Sequence, residues 1–373
     1  MVPPLQSRQT RIDVAVRKNV PGTSPLSDAH FAPMKAAVLS EFGQALTLEE
    51  LPVPEPRDDE VLIEVEVCGV CHSDLHIVDG DLPRFKVATK PHLIPGHEVV
   101  GRVVQRGAAV SHLEVGDRVG VPWRHGNCGT CELCREGYEN LCQQGGVTGM
   151  TVDGGYAQFM RARASHALRI PDALRSDEAA PLLCAGVTSY RALKKAGVAP
   201  GQRVAVFGIG GLGHLAVQIA CAMGAEVIGV DVSADKLAFA RELGAVDAID
   251  ATDLEALKAL RKRGGVHVAI VTSASHAAFD AALQCLRPTG TLGVVGLPAE
   301  PLRIPAISLV ASEARIIGSA VGTRDDIRAV LEMAALGQLR CRVEIRPLSQ
   351  VNAVLDEMRR GAIHARVVLD PRT

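Results

Sequence analysis

Four cysteines, Cys128, Cys131, Cys134 and Cys142, are spaced C-x2-C-x2-C-x7-C in a stretch studded with glycine. Thiolates this close along a chain can surround one tetrahedral zinc ion and fill every coordination position, the arrangement of a structural metal rather than a reactive one. A redox pair would need only two of them and usually opens a helix in a βαβ unit. The rival is an iron–sulfur cluster, whose cysteine runs look similar and which metal analysis would separate from zinc.

A second group is Gly208-Ile209-Gly210-Gly211-Leu212-Gly213, between the apolar run RVAVFGI and the helical stretch HLAVQIACAMG. Alone it is weak, since any tight strand-to-helix turn uses glycine. Its context strengthens it: Gly208, Gly210, Gly211 and Gly213 let the backbone approach a pyrophosphate, whose charge is stabilised by free N–H groups at the helix start. Asp231 ends the next apolar run, where a carboxylate can accept both ribose hydroxyls of NAD and repel the 2′-phosphate of NADP. No arginine immediately follows Asp231, so NAD is the expected coenzyme.

A third group is scattered: CGVCHSDLH over Cys68–His76, GHE over Gly96–Glu98 and LLCAGVT over Leu182–Thr188. Each is weak by itself, because a lone buried cysteine or histidine more often packs than ligates. Their order around the four-cysteine run and the glycine motif is the informative feature.

These residues need elements to place them. Between Gly201 and about Val321, six apolar strands (RVAVFGI, EVIGVDV, AVDAID, VHVAIVT, GTLGVVGL, ARIIGSAV) alternate with helical stretches, which predicts an α/β fold with a doubly wound parallel sheet. From Met34 to about Pro181, short strands such as Val61–Val67 and Val99–Val104 lie between Gly/Pro turns and predict a mostly β domain. After Gly322 come helices near Asp325–Leu336 and Val351–Arg359, then a strand HARVVLD, assigned back to the β domain. The expected division is a poorly ordered extension over 1–33, a catalytic domain from 34–181 and 322–373, and a coenzyme domain over 182–321. Met34 is a candidate natural start. Asp13 and Asp28 dilute the basic character that a transit peptide would need.

Bulk properties exclude several classes. The chain has 373 residues, too many for one ordinary core, and a formal charge of only −2, which disfavours nucleic acid and membrane partners. No apolar run reaches the roughly 18 residues of a membrane span, and no signal pattern opens the chain, so a cytoplasmic protein is expected. In that compartment ten cysteines serve as ligands or thiols rather than disulfides. Cys68, Cys221, Cys285 and Cys341 lack ligand spacing and are expected to be buried.

Taken together, with G-H-E-x2-G-x5-G at Gly96, His97, Glu98, Gly101 and Gly107, the chain from Met34 onward resembles the zinc-containing alcohol dehydrogenases of the medium-chain dehydrogenase/reductase superfamily. The resemblance implies a Rossmann coenzyme domain beside a GroES-like catalytic domain. It implies a catalytic zinc on Cys71, His97 and Cys184, the Cys2His set for which alcohol dehydrogenase is the type example. Two zinc ions per chain follow, one catalytic and one structural. Glu98 would lie behind the catalytic metal and Asp74 would orient the ligand histidine. Ser73 and His76 match the proton relay. His72 and Arg366 match positions near the pyrophosphate, Thr188 and the backbone of Val295–Leu297 would flank the nicotinamide, and Lys236 would join Asp231 at the ribose.

The implied reaction is reversible, NAD-linked oxidation of primary and some secondary alcohols to aldehydes and ketones. An alcohol donates hydride poorly until its proton leaves. Zinc can bring a bound oxygen acid from about 16 to about 7, a stabilisation on the order of 12 kcal/mol. Trp123 matches the aromatic that narrows the pocket in small-alcohol enzymes, whereas Leu82 stands where yeast-type relatives carry a second tryptophan. A wider pocket for ethanol and longer or aromatic alcohols is therefore expected. The short linker from Cys142 to a strand expected near Gly154 matches the tetrameric bacterial and yeast enzymes, and a homotetramer is expected. Three alternatives stay open: a polyol or threonine dehydrogenase, an NADPH-dependent aldehyde reductase, which Asp231 disfavours, and a non-enzymatic relative that kept the fold.

Overall fold

The computed structural model describes residues 32–298, 300–363 and 366–373. The extension expected over 1–33 lies almost wholly outside the described residues, as do the first two residues of the final strand. The strands are β1 (Met34–Val38), β2 (Thr47–Leu51), β3 (Glu60–Gly69), β4 (Glu98–Arg106), β5 (Arg118–Val121), β6 (Phe159–Arg163), β7 (Leu168–Arg169), β8 (Arg203–Phe207), β9 (Glu226–Asp231), β10 (Asp247–Asp250), β11 (Val266–Val271), β12 (Leu286–Val294), β13 (Arg315–Gly318), β14 (Val343–Pro347) and β15 (Arg366–Asp370). They form three sheets.

The six-stranded sheet has the order β10-β9-β8-β11-β12-β13 and is parallel throughout. Both faces are covered, and the sequence shows why. In β8, Val204 and Val206 enter one core cluster while Ala205 and Phe207 enter another. In β11, Val268 and Ile270 face the first while Ala269 and Val271 face the second. An uninterrupted apolar run is what a strand buried on both sides requires. The order reverses between β8 and β11, so the crevice at the carboxyl end of β8 is the expected dinucleotide seat of this doubly wound fold. The expected strand over Ala314–Val321 is shorter than its apolar run. It stops at Gly318, and Val321 has φ of +45°.

The seven-stranded sheet has the order β14-β15-β3-β4-β5-β7, with β6 pairing β3. Antiparallel β3 and β4 place Gly69 opposite Glu98. The consequence is chemical: the residues just beyond β3 and just before β4, Cys71 and His97, emerge at the same end of the sheet. The approach is close enough that a Cβ on Gly69 would lie 2.0 Å from Glu98 Oε2, so only glycine fits there. A separate core holds Val61, Ile63, Val99, Val119 and Met160 together with Leu355 and Leu369 from the chain's end.

The tail contributes to both halves. The helix Arg324–Ala335 packs Ile327, Val330 and Leu331 into the cluster that lines the six-stranded sheet. The helix Val351–Arg359 and β15 join the seven-stranded side. Two expectations are corrected. No strand begins near Gly154: the chain there makes only an isolated bridge, Ala36 with Ala157, because the Gly154 and Gly155 backbone turns against Pro95 and Gly96 before β6 starts at Phe159. Cys221, expected to be buried, is half-buried on the outer side of the helix Gly213–Ala222, where its thiol donates to Gly244 O.

Candidate metal and coenzyme sites

One potential ligand atom from each of Cys71, His97, Glu98 and Cys184 falls within a cluster 4.8 Å across, and all four residues are buried. The four arrive by three routes. Cys71 caps the helix His72–Asp79, where the helix dipole favours a thiolate. His97 and Glu98 sit at the start of β4, and Cys184 precedes the helix Ala185–Ala196. The sulfurs of Cys71 and Cys184 are 4.0 Å apart, against roughly 3.8 Å for two thiolates at tetrahedral angles about zinc at about 2.3 Å.

The clearest fit to a metal lies at His97. Its Nδ1 donates to Asp74 Oδ1 at 2.7 Å, which leaves Nε2 as the atom with a lone pair to offer. That Nε2 is buried and has no hydrogen-bond partner. A buried polar atom without a partner is costly, and a cation between it and the two thiols removes the cost. Asp74, itself fully buried, also accepts from Cys71 N at 2.9 Å and from the Tyr156 hydroxyl at 3.1 Å through Oδ2. One carboxylate thus sets both a cysteine and a histidine. The Cys184 thiol, with help from His97, holds Cys71 well below the ordinary thiol range despite burial. Burial opposes charge on His97, but Asp74 outweighs it and raises the ring well above its usual value, a basicity that also strengthens donation to a metal.

Glu98 is held from behind. Arg366 Nη2 donates to both of its oxygens, at 2.5 and 2.6 Å, yet burial still lifts the carboxyl to about 7. The same guanidinium reaches 3.0 Å from where a Cβ on Gly211 would stand, so Arg366 links the cysteine–histidine cluster to the glycine loop. In that loop Gly208 has φ of +91°, and a Cβ on Gly213 would collide with Gly208 O at 1.8 Å. Gly210 differs: its Cβ position is open space. Asp231, buried at the end of β9, accepts Ile209 N–H at 2.6 Å and Ser233 N–H at 3.1 Å, joining the strand end to the loop.

The remaining predicted residues gather around these centres to different degrees. Ser73 and His76 are half-buried on the helix that begins at Cys71, and His76 Nδ1 is held by both oxygens of Asp81, at 3.0 and 2.9 Å. His72 is exposed. Thr188 is buried one turn beyond Cys184, whose carbonyl accepts its N–H. Val295 follows β12 at the carboxyl edge of the sheet, and Leu297 is exposed just beyond. Lys236 is half-buried on the helix Ala234–Glu242 that follows Asp231. The Trp123 ring meets His97 edge-on, with centroids 4.8 Å apart. Leu82 caps the short helix Pro83–Ala88, which carries Phe85 to 5.7 Å from Trp123. Phe85 and Tyr156 escape sequence reasoning because neither has a motif around it; only the tertiary fold brings them to the site.

The four-cysteine run forms a second cluster with ligand atoms within 4.8 Å of one another. Cys128 and Cys134 are 3.9 Å apart, as are Cys131 and Cys142. Backbone N–H groups already serve the sulfurs: Cys131 N donates to Cys128 and Cys128 N to Cys142. Backbone N–H groups of Thr130 and Cys131 draw Cys128 down to about 6, whereas burial and the neighbouring sulfurs push Cys134 up to about 12. Four thiols that cannot all ionise together suit a dication that removes the conflict.

Comparison with known proteins identifies the family. Residues 57–172 match the alcohol dehydrogenase GroES-like domain family and residues 211–335 the zinc-binding dehydrogenase family. An alcohol dehydrogenase of Geobacillus stearothermophilus is 47% identical over 337 residues, covering 90% of this chain and 99% of its own. An alcohol dehydrogenase of Moraxella sp. (strain TAE123) is 45% identical over 338 residues, covering 90% and 99%. The solved alcohol dehydrogenase of the hyperthermophilic archaeon Aeropyrum pernix matches with a TM-score of 0.84 at 36% identity, covering 90% of this chain and 100% of that one.

Proposed function

The chain belongs to the zinc-containing alcohol dehydrogenases, and from that premise we propose how its residues divide the work. It is an oxidoreductase that acts on a small-molecule alcohol with zinc and a nicotinamide coenzyme. The separate six- and seven-stranded sheets support a catalytic half of 34–181 and 322–373 and a coenzyme half of 182–321, with the helix Arg324–Ala335 packed across to the latter.

Cys71, His97 and Cys184 would hold a catalytic zinc, and Cys128, Cys131, Cys134 and Cys142 a structural one. The orphaned Nε2 of His97, facing two thiols while Nδ1 is tied to Asp74, carries this reading. When bound, the catalytic zinc acidifies an alcohol or polarises a carbonyl, and the nicotinamide takes or returns hydride. The protein's own residues do the rest. Asp74 fixes the tautomer of His97. Glu98, neutralised by Arg366, keeps a second carboxylate ready behind the cluster without adding net charge. Ser73 Oγ would accept the alcohol proton while releasing its own toward His76, whose Nδ1 is committed to Asp81 and whose Nε2 would carry a proton outward. His72 and Arg366 sit toward the pyrophosphate. Gly208, Gly210, Gly211 and Gly213 admit it at the start of the helix, and Thr188, Val295 and Leu297 enclose the nicotinamide.

Asp231 supports NAD as the coenzyme, and Lys236 would join it at the adenosine ribose. Trp123 and Leu82 frame a pocket for primary alcohols from ethanol upward, including medium-chain and aromatic ones. A series of kcat/KM values against chain length tests that width, and a sharp optimum at ethanol overturns it. The proposed homotetramer rests on family resemblance; the edge strand β13 and the helix Ala306–Ser312, none of whose residues is buried and whose Ile307 and Val310 are 73% and 75% exposed, support self-association of some kind. Such an edge invites cover by another copy. Light scattering that gives a dimer overturns the tetramer. A cytoplasmic site of action is part of this proposal; among the described residues no helix is long and apolar enough to cross a membrane.

The decisive experiment is zinc stoichiometry with NAD-linked oxidation of an alcohol panel, on the wild type and Cys71→Ala. Two zinc ions per chain are expected, falling to one with activity lost. Wild-type protein that holds a single zinc refutes the two-site reading.

A further inference from the structure

The chain leaves β13 at Gly318 and turns through Ala320–Arg324 before the helix Arg324–Ala335. That turn lies at the carboxyl edge of the six-stranded sheet, where this fold seats a dinucleotide. Ser319 N still donates to Val294 O at 3.4 Å, which keeps the turn beside Val295. Gly322 is pressed so close to the helix Ala185–Ala196 that a Cβ would lie 2.2 Å from Val187 Cγ2, next to Thr188. Val321 between them has φ of +45°, a left-handed conformation that β-branched residues strongly disfavour. A strained turn of this kind persists only where its surroundings impose it.

The surroundings come from the four-cysteine lobe. Asn140 Nδ2 donates to Ala320 O at 2.8 Å. Glu139 Oε1 accepts the backbone N–H of Arg324 at 2.9 Å and its Nε–H at 3.0 Å, and Oε2 accepts from Nη2 at 2.6 Å. Both gripping residues lie in the single turn Glu139–Leu141, directly before Cys142. The grip is braced at each end: Asn127 Nδ2 donates to Glu139 Oε2 at 2.7 Å, and Arg324 Nη1 donates to Ser165 O at 3.0 Å. Residues nearly two hundred positions apart are thus tied on both sides of the strained Val321.

We infer that Glu139 and Asn140 are positioning residues for the coenzyme: through the Ala320–Arg324 turn, the four-cysteine lobe holds the nicotinamide end of the crevice in its binding shape. The inference rests on the coenzyme site proposed above. It makes the lobe more than a stabilising knot, since its order reaches the rim of a crevice on the other sheet.

The test is calorimetric titration of NADH into the zinc-loaded full-length enzyme, with KM for NAD, kcat, zinc content and amide exchange of residues 318–323 measured alongside. Asn140→Ala and Glu139→Ala should raise both the NADH dissociation constant and the NAD KM about five- to tenfold, the loss expected from one or two part-buried hydrogen bonds. They should leave kcat within about twofold, keep both zincs and speed exchange in the turn. Dissociation constants within twofold of wild type, in variants with full zinc, overturn the inference, as does a fall in kcat alone. If Glu139→Ala loses zinc, Arg324→Gln removes the partner without touching the lobe and decides by the same criterion. Gly210→Ala in the same titration separates the two readings: if it leaves NADH binding unchanged the coenzyme site itself is misplaced, and if it alone weakens binding only the role of the lobe fails.

Discussion

Asp74 is the residue whose loss should spread furthest, and Asp74→Asn isolates its charge at nearly constant shape. The wild-type carboxylate accepts three hydrogen bonds with no solvent access: from His97 Nδ1 at 2.7 Å, Cys71 N at 2.9 Å and the Tyr156 hydroxyl at 3.1 Å. An asparagine keeps one acceptor oxygen. If that oxygen serves His97, the new NH2 group confronts the Cys71 N–H, donor against donor. The Tyr156 hydroxyl can rotate to accept, but the backbone N–H cannot. One buried donor is then unsatisfied, at about 1–3 kcal/mol, and a charge-assisted bond becomes a neutral one, at about 1 kcal/mol more. The combined loss is about 2–4 kcal/mol. Because Asp74 also sets the basicity of His97, zinc affinity at the Cys71 cluster should fall about 10–100-fold. Urea unfolding at pH 7 measures the first quantity, and zinc release to a chelating dye the second. Tyr156→Phe is the control: it removes one hydrogen bond, costs about 1 kcal/mol and leaves metal affinity intact. An Asp74→Asn protein that keeps its zinc affinity within twofold and loses under about 1 kcal/mol refutes the view that this carboxylate organises the site.

Two glycines of the fingerprint should behave oppositely. Gly213→Ala drives a Cβ to 1.8 Å from Gly208 O and should cost at least about 2 kcal/mol in urea unfolding, whereas Gly210→Ala meets nothing within 4 Å and should fold normally yet bind NADH at least about tenfold more weakly. Equal stability losses in the two would show that Gly210 serves packing alone. Asp231→Asn should cut the kcat/KM ratio of NAD over NADP by about tenfold or more, because the repulsion of a 2′-phosphate goes with the charge; an unchanged ratio places coenzyme selection elsewhere. His166 is buried, and burial together with Arg324 lowers it to about 4 from an ordinary 6.5. The folded protein therefore binds fewer protons than the unfolded chain between those values, so its contribution is complete above about 6.5 and is lost as pH falls toward 4. Relative to His166→Gln, the wild type should lose about 1.4 kcal/mol per pH unit in that window. Glu98, raised to about 7, acts with the opposite sign but cancels in the difference. Parallel urea midpoints for the two proteins from pH 7 to 4.5 would refute the assignment.

Legibility of the site in the sequence followed chain distance. Cys128 to Cys142 could be read directly because four thiols able to surround one ion lie within one short loop. The parallel strands could be read because burial on both faces leaves uninterrupted apolar runs such as Val204–Phe207. The Cys71, His97 and Cys184 set required resemblance, since no local rule says that β3 and β4 pair with Gly69 opposite Glu98. What stayed hidden were partners that only tertiary structure selects. Tyr156 reaches Asp74 across 82 positions, Arg366 reaches Glu98 across 268, and Glu139 reaches Arg324 across 185. Family resemblance puts Arg366 near the pyrophosphate, but nothing local says that the same guanidinium also holds Glu98. Element ends were blurred where backbone conformation overrides composition: Ala320 and Val321 are apolar and strand-like, yet the chain has already turned.

The edge-on contact between Trp123 and His97 has a practical side. Trp123 is the chain's one tryptophan, so the near-ultraviolet emission of the whole protein is dominated by a ring whose centroid lies 4.8 Å from that of a candidate metal ligand. A histidine that changes protonation or takes a metal alters the electric field on that indole, and a ligand that displaces solvent beside it changes its solvation. The molecule therefore carries its own optical probe at the place where the chemistry is expected, and metal loading, alcohol entry and excitation transfer to reduced nicotinamide can each be followed without attaching a label.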